Sequence, residues 1–216
     1  MIGILGGTFN PIHLGHLHLA NQLQTRLGFD SIRFMPAALP ALKDMPLVTA
    51  EQRAEMVEIA IANQPHLSLD TRELSRAGTS YTIDTLISLR EELGDEVSLC
   101  WLMGFDAFAH LNAWHRWQEL LSYAHLIVVK RPHSTDSSNL NADMKALLEM
   151  HETKNAEEVK RQAHGKILIQ EIAALDISST DIREKIAHDQ DVHSMIPEAL
   201  LSYIQQHQLY QSYGYL

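Results

Sequence analysis

Cysteine is almost absent from this chain: Cys100 is the only one. A single thiol excludes an internal disulfide framework and a four-cysteine zinc site. Basic residues are also in deficit, with 17 Lys+Arg against 27 Asp+Glu and a formal net charge of −10. That balance argues against a protein that coats DNA or RNA, since a polyphosphate chain needs neutralising cations. A small nucleotide needs only a few and stays open. No apolar run reaches the roughly 18 residues a membrane span requires. The opening Met1–Phe9 lacks the basic flank and cleavage region of a secretory signal, so the cytoplasm is the expected location. Repeats and low-complexity tracts are missing too. So are the two commonest phosphate-binding patterns, G-x-x-x-x-G-K-[ST] and G-x-G-x-x-G. Their absence counts against a P-loop NTPase and an ordinary dinucleotide-dependent dehydrogenase.

What remains is ample material for a core: 45% of 216 residues are hydrophobic. That length and composition predict one domain over 1–216, with a polar surface excursion at about 133–165 where Ser, Asn, Lys and Glu cluster. Apolar runs at Ile2–Leu5, Ser31–Met35, Leu67–Leu69, Val97–Met103, Leu126–Val129 and Lys166–Gln170 read as strands. Helical spacing of apolar residues covers Leu14–Leu27, Glu51–Asn63 and Tyr81–Glu92, and more weakly Ala142–Met150 and Ala156–Ala163. A terminal helix is expected over Pro197–Leu209, with Pro in its first turn. Strands alternating with helices of this length predict a parallel α/β sheet with right-handed crossovers.

Charge is distributed unevenly. Residues 1–29 hold one formal charge, Arg26, and no carboxylate. Within them lies Gly6-Gly7-Thr8-Phe9-Asn10-Pro11-Ile12-His13-Leu14-Gly15-His16. Glycines at the carboxyl end of a first strand let a ligand approach the backbone, and the following helix aims its unpaired N–H groups into the same space. His13 and His16, three apart at a helix start, can share one face. Such histidines can also be satisfied side chains at a helix entrance, or part of a zinc pair, although no further ligand stands at matching spacing.

A second stretch, Ile177-Ser178-Ser179-Thr180-Asp181-Ile182-Arg183, begins another helix. Ser178 with Asp181 reads as a capping box. Arg183 lies about one turn in, where it can reach back to an anion at the helix N-terminus.

The first stretch resembles the H-x-G-H signature of the nucleotidylyltransferase superfamily, with Asn10 where that superfamily usually has Asp. The second resembles its I-S-S-T-x-x-R motif position for position. The resemblance runs from Ile2 to the terminal helix. It implies a Rossmann-like, doubly wound parallel sheet with helices on both faces. It also implies transfer of a nucleoside monophosphate from a triphosphate, with His13, His16 and Arg183 as catalytic groups. On the ATP side it implies Gly7, Thr8, Phe9, Gly15, Gly104, Asp106, Ile177, Ser178 and Ser179.

Ser80-Tyr81-Thr82, Gly104-Phe105-Asp106 and Trp114 together look like the nicotinate-mononucleotide adenylyltransferase branch. For the mononucleotide that branch implies Lys43, Tyr81, Thr82, Trp114 and His115. Trp114 would stack on the pyridine ring, and backbone amides near Thr82 and His115 would receive the nicotinate carboxylate. The implied reaction joins ATP and nicotinate mononucleotide and releases pyrophosphate, with Mg²⁺ held through phosphates rather than by dedicated ligands. No nucleic acid or membrane partner is implied, and the expected state is a monomer or small homo-oligomer. Trp114 and Trp117 can equally form an apolar stripe, and Lys43 can be a surface lysine. The loop Pro36–Lys43 departs from the branch's P-N-x-x-P-P-H-K pattern and keeps only its first Pro, Pro40 and the lysine. Other acceptors stay open, namely nicotinamide mononucleotide and phosphopantetheine. So do a catalytically silent nucleotide-binding module and a histidine-based metal protein.

Overall fold

The computed structural model describes residues 1–39, 48–76, 78–132 and 140–211. Seven parallel strands form one sheet: β1 (Ile2–Gly7), β2 (Ser31–Pro36), β3 (Leu67–Leu69), β4 (Leu99–Gly104), β5 (His125–Lys130), β6 (Glu152–Thr153) and β7 (Ile167–Glu171). Their order is β3-β2-β1-β4-β5-β7-β6. The chain runs outward from β1 to β3, then crosses back to lay β4 against the other side of β1. That reversal opens a crevice at the carboxyl ends of β1 and β4, where open α/β sheets take ligands. Leu5 pairs with Leu102 across the switch point, and the two strands end at Gly7 and Gly104.

Helices cover both faces, and strand alternation decides which side chain meets which layer. Leu5, Cys100, Leu102 and Ile127 point to one face. There they pack under α1 (Leu14–Leu27), α2 (Ala50–Ile61), α7 (Ser179–Ala187) and α8 (Glu198–Gln206). Ile4, Leu99, Trp101, Met103 and Val128 point to the other, under α3 (Thr82–Leu93), α4 (Phe105–Ala109) and α5 (Ala142–His151). A sixth helix in chain order, α6 (Ala156–Arg161), sends Val159 into the first layer.

The fold is the doubly wound parallel sheet that the alternation of elements predicts. Boundaries shift modestly. Pro197 caps the terminal helix rather than entering it, and that helix stops at Gln206. Four pieces lie below the length at which a pattern is readable: α4, the 3₁₀ turns Leu111–Ala113 and Trp117–Ser122, and the two-residue β6. Within the polar stretch, Leu140, Met144, Leu147 and Leu148 are buried, and β6 adds an edge strand to β7. None of the described helices is long and apolar enough to cross a membrane.

Candidate functional site

The turn between β1 and α1 is held in an unusual shape by its own side chains. Phe9 has a left-handed φ of 48°, which costs a non-glycine residue about 1–2 kcal/mol. Its ring is 2% exposed, packed edge-on to His16 with centroids 5.2 Å apart and against Phe34 at 5.6 Å. Full burial of a phenylalanine gains about 1.5–3 kcal/mol, so burial outweighs the strain. That ring folds back over Gly7, where a Cβ would stand 2.9 Å from it. Gly15 is required for a parallel reason: a Cβ there would lie 2.9 Å from His13 Nδ1. A glycine between the two histidines thus leaves room for the first imidazole.

His13 sits at the N-cap of α1 and His16 in its first turn. Their rings stack with centroids 3.8 Å apart, and the His13 N–H donates to His16 Nδ1 at 3.3 Å. Because His16 Nδ1 accepts, its proton belongs on Nε2. His13 is buried, and burial pushes its pKa down to about 4, so the ring is neutral near pH 7. Its buried Nδ1 has no hydrogen-bond partner among the described residues, a polar atom open to a ligand or water.

The late helix reaches this same turn. Arg183 Nη1 donates to the Asn10 carbonyl at 2.8 Å, and its Nη2 donates to Thr180 Oγ1 at 3.3 Å. Ser179 Oγ donates to the Pro11 carbonyl at 2.8 Å. Ile177 Cβ lies 3.8 Å from where a Gly15 Cβ would be. Ser178 caps α7 by accepting from the Asp181 N–H at 3.0 Å. Only that half of the expected capping box forms, since the Asp181 carboxylate faces Lys185 at 3.8 Å. The two motifs, at opposite ends of the chain, are therefore in direct contact, and two helix N-termini flank the opening turn.

On the other side of the crevice, Gly104 caps α4, and Asp106 is exposed in that helix's first turn. Tyr81 caps α3, so the Thr82 N–H is one of its unpaired first-turn donors. The Tyr81 ring lies on His115, with centroids 4.4 Å apart. Trp114 is half-buried against the cluster under α3 and α4. Next to them Arg116, at a φ of 51°, lies 4.0 Å from Asp84. Tyr81, Thr82, Trp114 and His115, the residues expected on the mononucleotide side, thus share one region. Lys43 lies outside the described residues.

Two buried charges supporting this site were not anticipated. Arg53, 1% exposed on α2, donates to the Thr8 carbonyl and the Ala37 carbonyl, each at 2.7 Å, and to the Ala38 carbonyl at 3.2 Å. It joins the loop after β1 to the loop after β2. A sequence signal existed: Arg53 falls three, four and seven residues before Met56, Val57 and Ala60, on the inward stripe of α2. Glu73, 4% exposed, accepts from the Thr85 hydroxyl at 2.6 Å behind the start of α3. Burial raises its pKa, against the hydrogen bonds from Thr85 and Ser80 and the charge of Arg76. Ser80 in turn accepts from the Ala38 N–H at 3.1 Å, so the β2 exit loop is held from both sides.

Acid should loosen the fold in a defined window. His125, the buried first residue of β5, donates from Nε2 to the Gln162 carbonyl and accepts at Nδ1 from the Lys166 N–H. Burial, above all, holds its pKa at about 4, as for His13. Above about pH 6.5 both histidines are neutral in the folded and unfolded chain. Below it the unfolded chain takes up protons that the native fold refuses, down to about pH 4. Thermal unfolding should therefore give a Tm that is flat between about pH 8 and 7 and falls from about pH 6.5, while the exposed carboxylates are still ionised. A Tm that holds steady down to pH 5 would contradict this.

No group of three or more His, Cys, Asp or Glu among the described residues could hold a metal ion. The donor set of the crevice is imidazole, guanidinium, hydroxyl and backbone N–H. It suits an anion, and a divalent ion that arrives on phosphate oxygens.

Comparison with known proteins points the same way. The cytidylyltransferase-like family matches residues 4–185. A protein of Cellvibrio japonicus named a probable nicotinate-nucleotide adenylyltransferase is 44% identical over 210 residues, covering 97% of this chain and 98% of its own. Its namesake in Aeromonas salmonicida is 43% identical over 211 residues, covering 98% and 97%. Among solved structures, the nicotinic acid mononucleotide adenylyltransferase of Plasmodium falciparum complexed with NaAD superposes with a TM-score of 0.73. That match covers 97% of this chain and 96% of the other at 19% identity, a likeness of fold.

Proposed function

Since the chain belongs to the cytidylyltransferase-like family, and within it groups with the nicotinate-nucleotide adenylyltransferases, we propose that it transfers AMP from ATP to nicotinate mononucleotide. The products are nicotinate adenine dinucleotide and pyrophosphate, a step of NAD biosynthesis. The observation that carries this reading is the contact between the two motifs: Arg183 and Ser179 hold the carbonyls of Asn10 and Pro11, 173 and 168 residues away. One triphosphate at the end of β1 would meet both.

A phosphate oxygen of the mononucleotide attacks the α-phosphorus of ATP in line. The bond from that phosphorus to the bridging oxygen breaks, and pyrophosphate leaves with the electron pair. The acceptor is already an anion, so no side-chain nucleophile is needed, and catalysis is positioning plus charge stabilisation. His13 and His16 donate hydrogen bonds to the phosphates about the α-position. Arg183, Ser178 and Ser179 with the α7 N-terminus hold the pyrophosphate end. Gly7, Thr8, Phe9, Gly15 and Ile177 shape the crevice, and Gly104 with Asp106 meets the adenosine side. When bound, Mg²⁺ would be held through phosphate oxygens rather than by side chains of this chain and would supply charge neutralisation there. Tyr81, Trp114 and His115 offer aromatic faces to the pyridine ring, and the Thr82 N–H favours its carboxylate over an amide. Lys43 steadies phosphate charge. The enzyme works in the cytoplasm as a monomer or small homo-oligomer.

The test is a pyrophosphate-release assay with ATP, Mg²⁺ and a panel of nicotinate mononucleotide, nicotinamide mononucleotide and phosphopantetheine. The highest kcat/KM is expected with the nicotinate compound. Preference for another acceptor, or no release with any, would refute the assignment. Within the same assay, Trp114→Ala should raise the KM for the mononucleotide about 3- to 30-fold, the worth of a stacked aromatic face. A raised KM for ATP with an unchanged mononucleotide KM would show the two pockets to be reversed.

A further inference from the structure

The chain returns to the opening turn a third time, beyond α8. Leu209 is buried in the layer of α1, α2 and α8, and the next residue, Tyr210, is half-buried at a φ of 64°. The Tyr210 hydroxyl donates to Asn10 Oδ1 at 2.7 Å, across 200 residues of sequence. Burial keeps this phenol protonated, against the nearby charges of Arg183 and Arg53, so it stays a donor. Asn10 is thereby gripped twice: Arg183 takes its backbone carbonyl and Tyr210 its side-chain oxygen. Toward an anion the amide has only its NH₂ to offer, and no hydrogen bond from Nδ2 occurs among the described residues. An aspartate in that position could accept from Tyr210 but would bring a negative charge and no donor.

We propose that Tyr210 is a positioning residue: its hydroxyl latches the tail to Asn10 and orients the amide so that its NH₂ donates to the bound triphosphate. The latch acts through Asn10 and does not itself touch substrate. This rests on reading the turn as a triphosphate site.

The test uses the full chain and titrates a non-hydrolysable ATP analogue with Mg²⁺ by calorimetry, alongside kcat, both KM values and Tm. Tyr210→Phe keeps the ring and removes the hydroxyl. It should raise the analogue Kd and the KM for ATP about three- to tenfold, the worth of one oriented hydrogen bond, and leave the mononucleotide KM unchanged. Asn10→Asp keeps an acceptor for Tyr210 but removes the donor, so it should weaken analogue binding at least as much with little change in Tm. Combining Tyr210→Phe with Asn10→Ala should cost no more than Asn10→Ala alone. A lowered Tm with analogue binding within twofold of wild type would make Tyr210 structural only and overturn the latch, as would additive losses. If Tyr210→Phe does not fold, Asn10→Asp decides alone: an unchanged Kd overturns the proposal. Wild-type protein that fails to bind the analogue refutes the triphosphate reading and the latch with it. Wild-type binding matched by Tyr210→Phe refutes only the latch.

Discussion

Replacing His16 with alanine should leave a folded protein whose turnover is lower by about two decades or more. The structural cost is small: one ring stack on His13, the edge-on contact with Phe9 and one 3.3 Å hydrogen bond from the His13 N–H are lost, and Phe9 keeps its packing on Phe34. The catalytic cost is large because of when the group acts. The His16 proton sits on Nε2, fixed there by the bond its Nδ1 accepts. An oriented donor of this kind strengthens as charge builds on the phosphate oxygens, and its removal typically costs 10²–10³ in kcat. The loss should therefore fall on kcat more than on the KM for either substrate. The check is pyrophosphate release by the purified variant, with circular dichroism and Tm showing that it is folded. A folded variant with kcat within about threefold of wild type would remove the central role given to this histidine.

Arg183→Lys should be nearly as damaging as Arg183→Ala, with kcat/KM for ATP lowered by about 10²-fold and the mononucleotide KM little changed. The guanidinium already holds two protein oxygens, the Asn10 carbonyl at 2.8 Å and Thr180 Oγ1 at 3.3 Å, so one planar group braces the turn with N–H donors to spare for a phosphate. Arginine has five N–H donors in a fixed fork, enough to keep those bonds and still grip a phosphate. Lysine carries the same charge on a point donor with no such geometry. A merely electrostatic role would let lysine restore most of the activity. Steady-state kinetics of the two variants, varied separately in ATP and mononucleotide, would show which holds.

The sheet was readable because its strands are short apolar runs closed by Gly or Pro, with Gly6-Gly7, Pro36 and Gly104 as the stops. The main helices were readable because their inward stripes are continuous, as at Leu17, Ala20, Leu23 and Leu27 of α1. The two motifs named residues that the fold does bring to one turn. What the sequence could not show was which distant group each would meet. Arg53 stands visibly on an apolar stripe, but its partners are the carbonyls of Thr8, Ala37 and Ala38, and backbone atoms leave no signature in composition. Tyr210 looks like any tail aromatic until the fold lays it on Asn10. Residues 140–148 show the reverse case. Their polar surroundings suggested surface, yet Leu140, Met144, Leu147 and Leu148 cover Met103 and Val128 in one buried layer. A few apolar residues at helical spacing suffice to bury one side of a helix whose other side is charged.

The most direct test is a crystal structure of the chain with Mg²⁺ and a non-hydrolysable ATP analogue. The account predicts that the phosphates lie at the end of β1, with His13 and His16 on one side and the Arg183 guanidinium and the α7 N-terminus on the other, all touching the same ligand. Phosphates bound elsewhere, or contacted by the histidines while Arg183 stays turned to the Asn10 carbonyl alone, would contradict it.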